Sequence, residues 1–200
     1  MKDDALERLK AAFRSLPGIG PRSAQRIVSR ILARDRDSAK ALCQALDDAL
    51  KSVKRCEICG RLCEGDICSI CQDEKRDVTQ ICVVESDEDL EAIEATRNFN
   101  GRYFVLAGLI DPAFGTGAEE LDFERLFEIV SQGIVKEVIL ATPFTPQGDA
   151  TAHYLARFLK ARNATIHVTR LSRGIPAGIE LEYTDANTIA NAIYARKEEL

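Results

Sequence analysis

Apolar positions in the first 55 residues recur every three or four places, the spacing of helices with one buried face. Leu6, Leu9 and Phe13 mark a helix over 3–14. A second helix follows Pro21, with Ala24, Ile27, Val28 and Ile31 on its inner side. A third runs from about Ser38, carrying Leu42, Leu46, Leu50 and Val53. At Arg55 the pattern stops. From Gln80 the period changes: ICVV, RYFVLAG, EVILAT and ATIHVTR are short β-branched runs of the kind buried in parallel sheets. Helical segments near 87–97, 121–132 and 149–161 separate them, which predicts a parallel sheet with right-handed crossovers. RGIPAGIELEY is turn-rich with a short strand pattern, and a closing helix follows from about Asp185. The expected fold is therefore α+β and multidomain, divided at 1–55, 56–78, 79–172 and 173–200.

Composition adds bounds. An apolar share of 46% and a charged share of 30% suit a folded soluble chain of 200 residues. No apolar run approaches the roughly 20 residues of a membrane span. The opening MKDDALERLK is charged and helix-like, unlike a secretory leader. A cytoplasmic location follows, in a reducing compartment where the 7 cysteines need a role other than disulfides.

Charge changes the picture more. The net charge of −5 conceals a split. Residues 1–55 hold 13 Lys/Arg against 7 Asp/Glu, a local +6, and residues 56–200 hold 14 against 25, a local −11. A basic head on an acidic body points to an anionic partner for the head alone.

Cys56, Cys59, Cys68 and Cys71 stand in CEICGRLCEGDICSIC as C-x2-C-x8-C-x2-C. Each pair can hold one metal from a tight turn, and four thiolates with no open position suit one structural Zn²⁺ per chain. Such a site lends folding free energy to a segment too short for its own core. A redox dithiol is the rival reading. Cys63 lies between the pairs and reads as a bystander, while Cys43 and Cys82 read as small buried hydrophobes.

In LPGIGPRSAQRI, Gly18 and Gly20 allow a tight turn, and Pro21 suits the first helical position. Amides at a helix N-terminus hold anions, so this turn can grip a phosphate without reading a base. Arg22, Arg26 and Arg30, four residues apart, extend the positive surface along one face. The pattern is similar to a helix-hairpin-helix, a sequence-independent duplex-binding device. An ordinary solvated basic face is the plainer alternative.

Taken in order, LPGIGPRSAQRI, the four cysteines, ICVVE, ATPFTPQGDATAHYL and RGIPAGIELEYTD resemble the RecR recombination-mediator family across nearly the whole chain. The resemblance implies a helix-hairpin-helix region, a four-cysteine zinc finger, a Toprim domain and a C-terminal assembly segment of strand and helix. It further implies a homo-oligomer, with dimers joining into a ring-shaped tetramer around double- or single-stranded DNA. In the bacterial nucleoid, that ring would work with RecO, and in many bacteria RecF, to load RecA during recombinational repair. By position, the family's DNA-binding arginines fall at Arg22 and Arg26, and its zinc ligands at the four paired cysteines. Departures from the pattern include Pro143-Phe144 in place of Asn-Pro, Gln147 and Asp149 in place of glutamates, and Ile179 in place of a glycine.

Toprim enzymes hold Mg²⁺ with a glutamate after one strand and an Asp-x-Asp after a later one. Glu85 follows ICVV, but Pro143 and Thr145 occupy the two aspartate places, and Asp149 alone completes a poor cage. His153 and His167 read as surface or packing residues. The body is therefore expected to be non-catalytic, with a Mg²⁺-dependent nuclease or primase-like enzyme as the alternative. Glu85, Asp87 and Asp89, with Glu88, form an acidic cluster that reads either as a helix start or as a docking surface for a basic partner such as RecO. A zinc-stabilised interaction module without DNA contact is a third reading.

Overall fold

The computed structural model describes residues 4–196. Asp3 of the expected first helix and the end of the 173–200 segment lie outside the described residues. The chain forms two compact units, Met1–Val53 and Lys54–Leu200.

The first unit is helical: α1 (Ala5–Arg14), α2 (Pro21–Arg34) and α3 (Arg36–Ser52). Asp4 caps α1 by accepting from the Leu6 amide at 3.1 Å. Asp35 caps α3 by accepting from the Ser38 amide at 3.3 Å, so the helix begins two residues before the position expected from its apolar pattern. The first unit buries little: within α2 only Ala24 and Val28 are fully covered. The leucines of α3 overturn an inward-facing expectation, with Leu46 at 55% and Leu50 at 84% exposure. Their spacing is helical, but no other part of the unit lies over that face. Cys43 is exposed on the same helix rather than buried.

The second unit opens with a two-stranded ribbon, β1 (Val53–Arg55) and β2 (Leu62–Glu64), followed by the short helix α4 (Ser69–Gln72). Then β3 (Asp77–Val84), α5 (Asp87–Ala95), β4 (Gly101–Val105), α6 (Phe123–Ser131), β5 (Glu137–Leu140), α7 (Pro146–Arg162) and β6 (His167–Arg170) alternate. Their strands form one sheet in the order β4-β3-β5-β6, every pair parallel.

Alternating side chains divide the core between the two sheet faces. On one face Ile81, Val83, Phe104, Val138 and Leu140 pack with Phe127 and Leu126 of α6 and with Leu155 and Leu159 of α7. On the other, Cys82, Val84, Tyr103 and Val105 pack with Leu90 of α5 and the four paired cysteines. The cysteine segment is thus part of the sheet's core. Arg76 joins Glu94 by a short ion pair, and the Tyr103 hydroxyl donates to Glu94 at 2.6 Å, tying α5 to β4.

The C-terminal strand does not form. Among the described residues, 174–183 hold only a turn and a 3-10 helix at Leu181–Tyr183 before α8 (Ala186–Tyr194). A strand needs a neighbour for its amides and carbonyls. None is offered here, and Ile179, Leu181 and Tyr183 stay exposed. Asp185 caps α8 by accepting from the Asn187 and Thr188 amides, each at 3.0 Å.

Candidate metal centre and nucleic-acid interface

The four paired cysteines converge. Their sulfurs all lie within 4.8 Å of one another, and all four residues are buried. A tetrahedral thiolate site with metal–sulfur bonds near 2.3 Å needs sulfurs about 3.8 Å apart, so the set fits a single ion. Cys59 and Cys68 already stand at 3.6 Å.

Local backbone chemistry explains the convergence. The Cys56 amide donates to Arg61 O at 2.7 Å and the Gly60 amide to Cys56 O at 3.0 Å, closing the first turn. Gly60 has a φ of +79°, and a Cβ there would stand 2.8 Å from Val105 O, so only glycine fits. The Cys68 amide donates to Cys56 Sγ at 3.4 Å, joining the second turn to the first. The Val105 amide donates to Cys59 O at 2.7 Å, which docks the turn on β4. Arg125 reaches from α6 to Cys56 O and Glu57 O, both at 3.4 Å.

Without a cation, four buried thiolates would repel one another. Their hydrogen bonds then share one charge: the bond from Cys71 holds Cys59 low, while the same bond and burial hold Cys71 high. A divalent ion removes that conflict by letting all four ionise. Cys82, outside the set, is pushed up to about 12 by burial alone. Cys63 is also outside it, and burial raises its thiol, with Cys56 and Cys59 adding to the effect.

In the helical unit, Gly18 takes a φ of +77° and Gly20 is the N-cap residue of α2, with no side chain capping the helix. At about 100° per residue, Arg22, Arg26 and Arg30 span an arc of about 80°, opposite the Ala24–Val28 side. All three arginines are exposed. Arg22 and Arg26 form no ion pair with a described carboxylate, so their charge faces solvent.

The acidic cluster lies at the carboxyl end of β3. That edge faces the crevice where strand order reverses, the usual ligand site of an open parallel sheet. Asp87 accepts from the Leu62 amide at 3.2 Å and pairs with Arg61 at 3.8 Å. Asp89 accepts from the Ser86 amide at 3.2 Å within a capping box that starts α5. Both carboxylates thus serve the fold locally. Glu85 is half-buried, and burial with Asp89 nearby raises its carboxyl above the usual range. Glu88 is exposed.

The neighbouring loop after β5 is built as a helix start. Thr142 is buried and donates to Gly148 O at 3.0 Å, and Thr145 caps α7 by accepting from the Gly148 amide at 3.1 Å. Asp149 is engaged by Arg170 at 2.6 Å and Arg173 at 2.9 Å. Burial opposes its ionisation, but the two arginines outweigh that and hold it below the usual carboxylate range. Both guanidiniums also lie over the Phe144 ring, at 4.6 and 4.5 Å. Neither arginine was singled out in the sequence, because each meets Asp149 of α7 only where β6 and the residues after it pass the start of that helix. Among the described residues, the four cysteines are the one group of three or more His, Cys, Asp or Glu whose ligand atoms meet. His153 and His167 are exposed. No helix is long and apolar enough to cross a membrane among the described residues.

Three segments of the chain match known family models. Residues 6–50 match the family described as RecR, helix-hairpin-helix. Residues 79–172 match the Toprim domain, and 174–197 match RecR, C-terminal. With two RecR-specific matches flanking the Toprim match in order, and the four-thiol centre standing between the first and second, the chain belongs to the RecR family.

Proposed function

We propose that this protein is a DNA-binding clamp of recombinational repair, which with RecO and, in many bacteria, RecF helps load RecA onto single strands. The observation that carries this reading is the exposed Arg22, Arg26 and Arg30 face on α2, beside an uncapped helix N-terminus at Gly20. Such a face contacts phosphates and leaves bases unread. Binding to double- or single-stranded DNA is then sequence-independent and weakens steeply with salt. Substituting Arg22 and Arg26 by alanine is expected to lower affinity and to flatten the salt dependence by about 0.9 for each lost duplex phosphate contact. Fluorescence anisotropy over a salt series measures both. Parent-like binding by the double variant would remove the interface from consideration.

The metal in this reading is Zn²⁺, one per chain, held by Cys56, Cys59, Cys68 and Cys71 as a closed structural site. The thiolates and their spacing support zinc over harder cations. The role of the ion is to hold the two turns against β4, with no part in chemistry.

The Toprim body acts as a non-catalytic scaffold. Asp149 is already neutralised by arginines, and Pro143 and Thr145 offer no carboxylates beside Glu85. Glu85, Asp87 and Asp89 form the face for a basic partner such as RecO, with Glu88 supplying the freest charge. A single chain of this size cannot enclose a duplex, so dimers joining into a tetrameric ring complete the clamp.

A further inference from the structure

The crossover from β4 to α6 and the first turn of that helix carry one sign of charge. Residues 103–124 hold Asp111, Glu119, Glu120, Asp122 and Glu124 and no Lys or Arg. Asp122 is met by Arg125 at 3.0 Å and Glu124 by Arg162 at 3.1 Å. Glu119, exposed in the 3-10 helix Ala118–Glu120, meets no cation among the described residues.

Glu119 and Glu124 share a cavity of about 290 Å³ with three aromatic rings, Phe123 and Phe127 of α6 and Tyr154 of α7. Phe123 and Phe127 stand one helical turn apart and are both buried, which fixes that face of α6 in the core. Tyr154 is half-buried and held by two neighbours: Phe158 stacks on it at 4.3 Å, and Phe123 meets it at 5.5 Å. Its hydroxyl has no hydrogen-bond partner among the described residues. The cavity is thus preformed, and its unengaged polar groups, a carboxylate and a hydroxyl, both accept hydrogen bonds.

The chain already seats one cation of its own on this chemistry. The Arg162 guanidinium lies over the Phe127 ring at 5.2 Å and donates to both Glu124 oxygens, at 3.1 and 3.3 Å. Aromatic faces attract cations, more strongly where water is displaced. A guanidinium adds a plane that stacks and five N–H donors, where an ammonium offers three. Size points the same way. Small-molecule sites run from about 300 to 1,000 Å³, so this cavity suits one long side chain rather than a whole cofactor.

We infer that this cavity is a docking pocket for an arginine of a basic protein partner. The guanidinium sits among the Phe123, Phe127 and Tyr154 rings and donates to the Glu119 carboxylate and the Tyr154 hydroxyl. Glu119 supplies the charge, and the rings select a flat cation. No Lys or Arg of the β4–α6 crossover competes for the place.

The test uses the full-length protein labelled with 3-fluorotyrosine. The chain has 4 tyrosines, at Tyr103, Tyr154, Tyr183 and Tyr194, so Tyr154→Phe identifies one signal in the fluorine NMR spectrum. The probe is a capped Gly-Gly-Arg-Gly-Gly peptide, with its lysine and citrulline counterparts as controls. The Tyr154 signal is expected to move saturably with the arginine peptide, several-fold more weakly with lysine, and not with citrulline, which keeps the shape and loses the charge. Glu119→Gln, at an exposed position outside the core, is expected to weaken the arginine response several-fold while leaving the spectrum of the free protein in place. An equal response to lysine or citrulline, a response indifferent to Glu119→Gln, or no saturable movement at Tyr154 overturns the pocket. A Tyr154 signal that moves on dilution of the protein without peptide means that a second copy fills the cavity, and overturns the external partner.

Discussion

Glu85 stands at the end of the central strand, where burial and the neighbouring Asp89 raise its carboxyl above the usual range. A raised carboxyl favours folding while it is protonated and opposes it once ionised. Its stabilising share is full below about pH 4 and lost as pH rises through the folded-state value. Glu85→Gln is therefore expected to melt slightly higher than the parent at neutral pH, with the difference closing below about pH 4. A series of thermal melts across that range reads the sign directly. If Glu85 also meets a basic partner, the same substitution weakens that pairing while stabilising the free protein. Asp87 and Asp89 behave differently, since one carries the Leu62 amide and the other the cap of α5. Charge and position made all three carboxylates legible in the sequence. Which of them is spoken for depended on amides 25 residues away for Asp87 and three residues away for Asp89.

The cysteine turns and the sheet behave as one element rather than two. Val105 of β4 donates to Cys59 O, Arg125 of α6 grips Cys56 O, and the four cysteines share a cluster with Leu90, Tyr103 and Val105. Removing the metal with a chelator, or substituting Cys59 by serine, is expected to raise amide exchange in β4 and α5 while leaving α1 to α3 unchanged. Hydrogen-exchange mass spectrometry resolves those segments. Exchange confined to residues 56–71 would mean that the turns are independent of the sheet. Among the elements, the seven helices longer than α4 and the four sheet strands were legible from their patterns, with ends shifted by a few residues where caps such as Asp35 decide. The C-terminal strand was not, because RGIPAGIELEY carries a strand pattern and lacks a partner within its own chain.

At the scale of the whole molecule, the uncovered apolar residues bear on assembly. Leu42, Leu46 and Leu50 on α3, and Leu181, Tyr183, Ile193 and Tyr194 near the C-terminus, are exposed without a covering element. The proposed ring gives both sets a second copy to pack on. Covering a leucine side chain contributes about 1.5–3 kcal/mol, so placing aspartate at Leu46 and Leu50 is expected to weaken association by about a hundredfold or more. The helical unit itself should keep its fold, since neither leucine belongs to its core. Light scattering over a concentration series measures the shift, and an unchanged mass would place the contact elsewhere.

The sequence by itself determined the order of modules, the four paired cysteines that could hold a metal, the basic face of α2 and the missing aspartates at Pro143 and Thr145. Each is set by spacing within a few turns of chain, where helical and strand periods apply directly. Only the tertiary structure decided that the cysteine turns share the sheet's core, that Arg170 and Arg173 neutralise Asp149, and that the leucines of α3 face outward. Those outcomes depend on which distant segments meet. A periodic pattern says that a face is apolar, and only the packed chain says whether anything lies against it.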